Sequence, residues 1–351
     1  MPHPIRYRRS RGARASLIAL LSAMAFLTVT LSPAATAAQE RQRVRMTQPV
    51  ATLTLLVIYL ARGNQYFEGE GLAVDVISTG GGGPDVQALL AGNVDFTATA
   101  IPLVINSYLQ GKPLLGVVNI LNRSNMDVVI RKDLAEARGI RPEMAIEEKI
   151  RALKGLTVGV TRMGALTQQV GFYFIKRAGL EPQKDIKIVG MGGDMAVLAG
   201  LENRKIDAFV MSPPLPEMAA AKGVGVWLVR TVGGEDPKLA EFLQNVIIFR
   251  PETTRERPEL VRKVVRAAVR ALRWINDSPP EAIFQSIQPY FKGVDAEVMT
   301  AAIRHMKPSY RADGRITEAG VNAVQDVMAA AGILKRRVSW TEITTNDFLP
   351  R

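Results

Sequence analysis

Residues 74–102 read Val74-Asp-Val-Ile-Ser-Thr-Gly80-Gly-Gly-Gly-Pro84-Asp85-Val-Gln-Ala-Leu-Leu-Ala-Gly-Asn-Val-Asp95-Phe-Thr-Ala-Thr-Ala-Ile-Pro102. The β-formers Val74, Val76 and Ile77 predict a strand, and the glycine run Gly80–Gly83 breaks it. Pro84 suits a first helical turn, where a missing N–H costs little. The apolar spacing then carries a short helix to Gly92, and Asp95-Phe-Thr-Ala-Thr99 predicts a second strand. This order of strand, glycine turn, helix and strand is the unit of an α/β sheet with covering helices.

The same unit returns 112 residues later without a gap. Ile186 falls under Val74, Ile188 under Val76, and Gly192-Gly193 under Gly80-Gly81. Leu201, Ile206, Asp207 and Pro214 fall under Leu89, Val94, Asp95 and Pro102. Carried backwards, the offset lays the predicted strand Leu156–Thr161 under Val44–Pro49. The coincidence of Asp and Pro points to duplication and so to two lobes of similar topology. Each lobe then has a glycine turn at the carboxyl end of a strand, where open α/β sheets bind ligands.

The chain of 351 residues is long enough for two such lobes, and 47% hydrophobic with 22% charged residues is an ordinary globular balance. The formal charge of +12 falls to +7 once Arg6, Arg8, Arg9, Arg11 and Arg14 are set aside, because residues 1–38 contain no acid. The remaining charge is spread along the chain. With only 6% aromatics it forms no stripe for nucleic acid. Residues 1–38 read as a secretion signal: an arginine-rich start, the apolar run Leu17–Leu31, and small residues at Ala35-Thr-Ala37. The chain has no cysteine. This removes disulfides, thiol nucleophiles, cysteine-ligated zinc and the lipid-attachment cysteine, and predicts a free periplasmic protein.

Past the second repeat, Trp227–Val229 and Asn245–Arg250 predict further strands. Pro258 then opens a helix with Leu260, Val261, Val264, Val265, Ala268, Leu272 and Ile275 on one face and Arg262, Arg266, Arg270 and Arg273 on the other. The arginines read as a solvated face or as a dock for an acidic partner. The helices near 282–287, 296–306 and 318–331 are expected to return to the first lobe. The expected organisation is a first lobe from 39–124 and 248–351, and a second from 125–247. The two crossings, near Arg123–Asp127 and Asn245–Arg250, would form a hinge.

The turn Gly80–Gly83 lacks both the Gly-Lys-Ser/Thr ending of a nucleotide loop and the Gly-x-Gly-x-x-Gly spacing of a dinucleotide fold. No cofactor is called for. The histidines are His3 and His305 alone, so neither a metal cluster nor a Ser-His-Asp triad is expected. Four turns at helix starts could meet a ligand: after Gln48, at Thr79-Gly80-Gly81-Gly82, after Thr161, and at Gly190–Asp194. Arg162 reads either as a cleft cation or as a loop arginine facing solvent. Asp85 and Asp194 read as caps on the helix dipole or as cleft groups that would oppose an anion. Thr99, Thr167, Gln168 and Ser212 are neutral groups able to orient a small solute, although Thr99 and Ser212 also suit helix capping.

Several motifs now occur in order: Gln48-Pro49, Phe67-Glu-Gly-Glu-Gly-Leu-Ala-Val-Asp75, Gly80–Gly83 with Asp85-Val-Gln-Ala-Leu-Leu-Ala-Gly-Asn-Val-Asp95, Leu153-Lys-Gly-Leu-Thr-Val-Gly159 and Thr345-Asn-Asp-Phe-Leu-Pro350. Together they resemble the nitrate, sulfonate, taurine and thiamine-precursor group of ABC-transporter solute-binding proteins. The resemblance implies a periplasmic binding protein-like α/β fold in which two similar lobes close on a small polar solute. It implies a monomer that delivers this solute to an inner-membrane permease. Its ligand loops would fall on Gln48, Thr79–Gly82, Thr99, Thr161–Thr167, Gly192–Asp194 and Ser212. Sulfonate and nitrate binders are expected to have more cationic or aromatic groups there than Arg162, which leaves sulfonate, nitrate, carboxylate and pyrimidine-like solutes all open. The alternatives are a sensor for a membrane receptor, or an enzyme like the thiamine-pyrimidine synthases. The latter use a cysteine-rich motif and a catalytic histidine, and this chain has no cysteine.

Overall fold

The computed structural model describes residues 40–350 together with Met1, His3 and Pro4. The expected secretion signal otherwise lies outside the described residues. Residues 41–351 cluster as one compact unit built on two five-stranded sheets.

The first sheet contains β1 (Gln42–Gln48), β2 (Leu72–Ser78), β3 (Phe96–Ala100), β4 (Leu115–Leu121) and β10 (Asn245–Phe249), in the order β2-β1-β3-β10-β4. The second contains β5 (Asp127–Arg131), β6 (Thr157–Val160), β7 (Lys187–Gly190), β8 (Ala208–Met211) and β9 (Gly225–Val229), in the order β7-β6-β8-β5-β9. The sheets are mixed rather than parallel throughout. In each, one strand runs against its neighbours: β10 pairs antiparallel with β3 and β4, and β5 pairs antiparallel with β8 and β9. Those two strands directly follow the crossings between sheets, so each enters its sheet from the opposite end.

The duplication is visible in the ladders. Met46 pairs with Val76 and Phe96, and Val158, its counterpart 112 residues on, pairs with Ile188 and Ala208. The helices after the glycine turns, Gly82–Leu90 and Asp194–Glu202, also match end to end at this offset. The repeated aspartates have one structural task. Asp95 Oδ2 accepts the N–H of Arg45 (2.8 Å), and Asp207 Oδ2 accepts that of Thr157 (2.9 Å), holding the start of the neighbouring strand. Each also pairs with an arginine, Arg257 at 2.7 Å and Arg131 at 3.2 Å.

The chain first passes from one sheet to the other at residues 122–126. The second crossing falls at 230–244, ahead of the expected place, because Asn245–Phe249 is a wholly buried strand of the first sheet. A boundary between 247 and 248 would therefore cut β10. The crossings are tied together by a reciprocal amide pair that is fully buried. Gln244 Nε2 donates to Asn125 Oδ1 (2.6 Å), and the Asn125 backbone N–H donates to Gln244 Oε1 (2.8 Å).

The helix Pro258–Asp277 buries the expected apolar face against the helix Leu56–Gly63 and β4. Three of its four arginines, Arg262, Arg266 and Arg270, are engaged within the chain. Arg266 pairs with Glu70 (2.8 Å) and Glu259 (2.9 Å), Arg270 lies over Tyr66, and Arg262 over Phe348. The later helices return to the first lobe, Ala296–Met306 on Pro280–Ile287 and Glu318–Ala330 on Ile101–Leu109, and these two also reach the second. Pro280–Ile287 packs on Leu56–Gly63, while Ala296–Met306 meets Leu215–Ala221, and Glu318–Ala330 meets Leu166–Arg177. They span both lobes because the apolar face of Glu318–Ala330 joins a core containing residues of both sheets. Among the described residues no helix is long and apolar enough to cross a membrane.

Candidate functional site

A cavity of about 50 Å³ lies between the carboxyl ends of β1, β3, β6 and β8. That is room for roughly three to five water-sized groups. Both lobes supply its lining. Gly82, Thr99 and Leu103 come from the first; Thr161, Thr167 and Ser212 come from the second. Pro49, Val50, Leu55, Met126, Leu166 and Met211 form apolar walls. No lining side chain carries a charge.

Local structure explains the placement. Thr99 is the penultimate residue of a strand in which every residue is buried, two positions before the helix Ile101–Leu109 turns the chain away. Thr161 follows β6, and its hydroxyl lies 3.0 Å from that of Thr167 in the first turn of the helix Leu166–Arg177. Thr167 Oγ1 also accepts the Thr161 N–H (3.2 Å). Ser212 follows β8, with Met126 Sδ at 3.8 Å as its hydrogen-bonding neighbour. Gly82 stands where a Cβ would lie 2.4 Å from Leu103 Cδ1 and 3.1 Å from Thr99 Oγ1. Its missing side chain keeps that side of the cavity open.

Other expected site residues lie beside the cavity. Gln48 is buried, donating from Nε2 to Tyr59 Oη (2.6 Å) and Ser78 Oγ (3.1 Å). Thr79 Oγ1 is 2.8 Å from Asp85 Oδ1 and 2.9 Å from the Gly81 carbonyl, so it organises the turn. Gln168 Oε1 accepts the Gly164 N–H, closing the loop before its own helix.

Arg162 is exposed at the edge of the cleft. It lies outside the cavity lining, yet it is engaged: Nε donates to the Gly80 carbonyl (3.0 Å) and Nη2 to the Thr79 carbonyl (3.1 Å). The second lobe thus grips the glycine turn of the first. That turn needs glycine for two reasons. Gly80 has φ +77°, and a Cβ there would lie 2.7 Å from the Gly192 carbonyl; one at Gly81 would lie 2.5 Å from Arg162 Cδ. Gly192, at φ +92°, mirrors Gly80 across the cleft. Gly80, Gly81 and Gly192 therefore meet protein from the opposing lobe. Asp194 faces Ala51 of the first lobe, and its Oδ1 accepts the Met195 backbone N–H of its own helix (2.9 Å). Burial raises its carboxyl above the ordinary range, and backbone hydrogen bonds oppose that rise.

Asp85 is fully buried in the first turn of Gly82–Leu90, and burial pushes its carboxyl up to about 8. It is therefore mostly uncharged at neutral pH, and it offsets the helix dipole less than its sequence position suggested. At the hinge, burial pushes Asp127 up to about 7, although Thr231 and Trp227 donate to it.

Sequence reasoning missed Asn245, which lines the cavity and is 3% exposed. It opens β10, where the ladder to β4 shifts register between Asn245 and Val246, and the sequence pattern marks it as the start of a strand and crossing rather than as a site residue. Its position as the polar head of the run Val246–Phe249 was the available signal. Among the described residues no group of three or more His, Asp or Glu stands close enough to hold a metal.

Two matched α/β lobes, two crossings and a cavity between the sheets define the periplasmic binding protein fold. Solved structures of that fold agree. A protein from Bordetella bronchiseptica RB50 superposes with a TM-score of 0.76 at 22% identity, covering 88% of this chain and 96% of its own. The ligand-binding component of an ABC-type import system from Staphylococcus aureus gives 0.70 at 13% identity, covering 88% and 98%. The alkanesulfonate-binding protein SsuA from Xanthomonas axonopodis pv. citri gives 0.67 at 15%, covering 87% and 99%. In sequence, YtlA of Bacillus subtilis (strain 168), named as a candidate binding protein, is 22% identical over 87% of this chain and 88% of its own. Residues 54–282 match the NMT1/THI5-like family model, and the chain belongs to that family.

Proposed function

We propose that this protein is the extracytoplasmic solute-binding component of an ABC importer, capturing a small polar solute between its lobes. The observation that carries the reading is the cavity itself, enclosed by equivalent strand ends of two duplicated sheets and bridged at its rim by Arg162. Closure around a solute needs two bodies and a connection able to bend. Residues 40–124 with 245–350, and 125–244, are the natural division. Binding without turnover suits the lining, because hydroxyls, an amide and apolar groups supply no general acid or base near neutral pH. The protein works as a monomer, free of a lipid anchor, in the periplasm, and passes its solute to an inner-membrane permease. The import role of the Staphylococcus protein and the alkanesulfonate role of the Xanthomonas protein support that assignment by analogy of fold.

The test is thermal unfolding of the purified protein with sulfonates, carboxylates, nitrate, amides and pyrimidines, with each solute assayed for conversion afterwards. At least one class should raise the melting temperature by mass action and be recovered unchanged. Clear product formation, or no shift with any solute, would overturn the assignment.

A further inference from the structure

The chemistry of the cavity narrows the solute further, and this step rests on the binding role proposed above. Two buried polar side chains in the lining have unmet capacity. Thr99 Oγ1, on a residue that is 0% exposed, has no hydrogen-bond partner, and neither has Asn245 Oδ1. An unpaired buried acceptor costs about 1–3 kcal/mol, so these atoms mark where a solute would be held. A side-chain amide offers an acceptor beside a donor and is complemented by a group with the reverse order.

Charge is poorly served. The lining contains no Lys, Arg or His to balance an anion and no Asp or Glu to balance a cation. The remaining source of positive potential is the set of helix starts, and two of those at the cavity are depleted of donors. Pro84 removes an N–H from the first turn of Gly82–Leu90, and Pro102 removes one from Ile101–Leu109. The Ile101 N–H is already taken by the Gln244 carbonyl (3.0 Å). A full charge moved from water into so small a space would lose several kcal/mol of hydration without a counterion.

We infer that the cavity takes an uncharged, compact solute with a small apolar part and a neighbouring hydrogen-bond donor and acceptor, of the carboxamide or sulfonamide class. The donor–acceptor pair meets Asn245 and Thr99, and the apolar part meets Leu103, Met126 and Leu166.

Isosteric pairs test this directly. Propanamide against propanoate, and methanesulfonamide against methanesulfonate, are titrated at pH 7 and constant ionic strength. Binding is read from thermal shift and from tryptophan fluorescence. The neutral member of each pair should bind about tenfold or more tightly than its anion, the ratio expected from even a fraction of the lost hydration. Thr99→Val, which conserves shape, and Asn245→Leu should each abolish that preference while leaving the far-UV circular dichroism unchanged. Should Asn245→Leu fail to fold, the Thr99→Val result decides. Tighter binding of either anion, or neutral binding untouched by Thr99→Val, overturns the inference and leaves the binding role standing. No binding of any solute in the wider panel overturns both.

Discussion

Arg162→Ala is the most informative single change, because the side chain joins the lobes without lining the cavity. Its two bonds to backbone carbonyls use a charged donor, worth about 1.5–3 kcal/mol each when buried. The side chain is exposed, and competition from water brings each bond to about 0.5–1 kcal/mol. Removing both should destabilise the closed form by about 1–2 kcal/mol, a roughly 5- to 30-fold shift in the closed-to-open ratio. If the free protein is mostly open, affinity falls by the same factor, and the loss appears in the dissociation rate because closure follows encounter. The loss should be equal for neutral and charged solutes. Arg162→Lys should fall between, since an ammonium cannot fork across the Thr79 and Gly80 carbonyls as a guanidinium does. Titration calorimetry with stopped-flow dissociation gives the affinities and rates, and small-angle scattering gives the change in radius of gyration. Unchanged affinity and unchanged scattering would refute the latch. A loss confined to anions would return Arg162 to the pocket.

Three further expectations concern the elements around the site. Asp85→Asn should raise stability at alkaline pH. The folded carboxyl is pushed far above its unfolded value, so the folded state binds more protons, and stability falls as pH rises from about 4 to about 8. Melting temperatures from pH 5 to 8.5 should therefore fall less steeply in the variant, with a gain on the order of 1–3 kcal/mol at pH 8; an unchanged slope would show Asp85 to be ordinarily ionised. Asn125→Leu or Gln244→Leu should cost about 1–3 kcal/mol, because the first leaves Gln244 Nε2 and the second leaves the Asn125 backbone N–H without its buried partner. The double variant should cost clearly less than the sum of the two in a urea double-mutant cycle, and simple additivity would rule out the paired hinge. Gly82→Ala places a methyl against Leu103 and Thr99, so it should weaken solute binding about tenfold or more with little change in circular dichroism; full retention of binding would put the solute elsewhere.

The sequence carried an unusual share of the fold because duplication supplies an internal comparison. Strand, glycine turn, helix and aspartate recur at one offset, and hydrogen-bond register obeys the same offset. The cause is that Asp95 and Asp207 perform the same local task, and local tasks are legible in local patterns. Thr99, Thr161, Thr167, Ser212 and Gly82 were legible in the same way, since strand ends and glycine turns are recognised along the chain and face a common cleft in such sheets. The arginine stripe of Pro258–Asp277 was also plain, but its partners Glu70, Tyr66 and Phe348 lie far away in sequence.

What the chain order by itself determined, then, is two repeated lobes, the strand ends that meet between them, and the residue types offered there. Tertiary structure alone decided which of those residues turn inward. Antiparallel insertion of β10 brought Asn245 beside Thr99 from a point 146 positions away in sequence. Arg162 was carried across the cleft onto the carbonyls of the glycine turn. The glycines that open the first repeat resemble a cradle for a ligand, yet Gly80 and Gly81 are needed for the close approach of the other lobe, and Gly82 alone of the three lines the cavity. The physical reason is that a pocket between lobes is a long-range object. Its lining depends on how two separately legible units are joined, and no local periodicity records that.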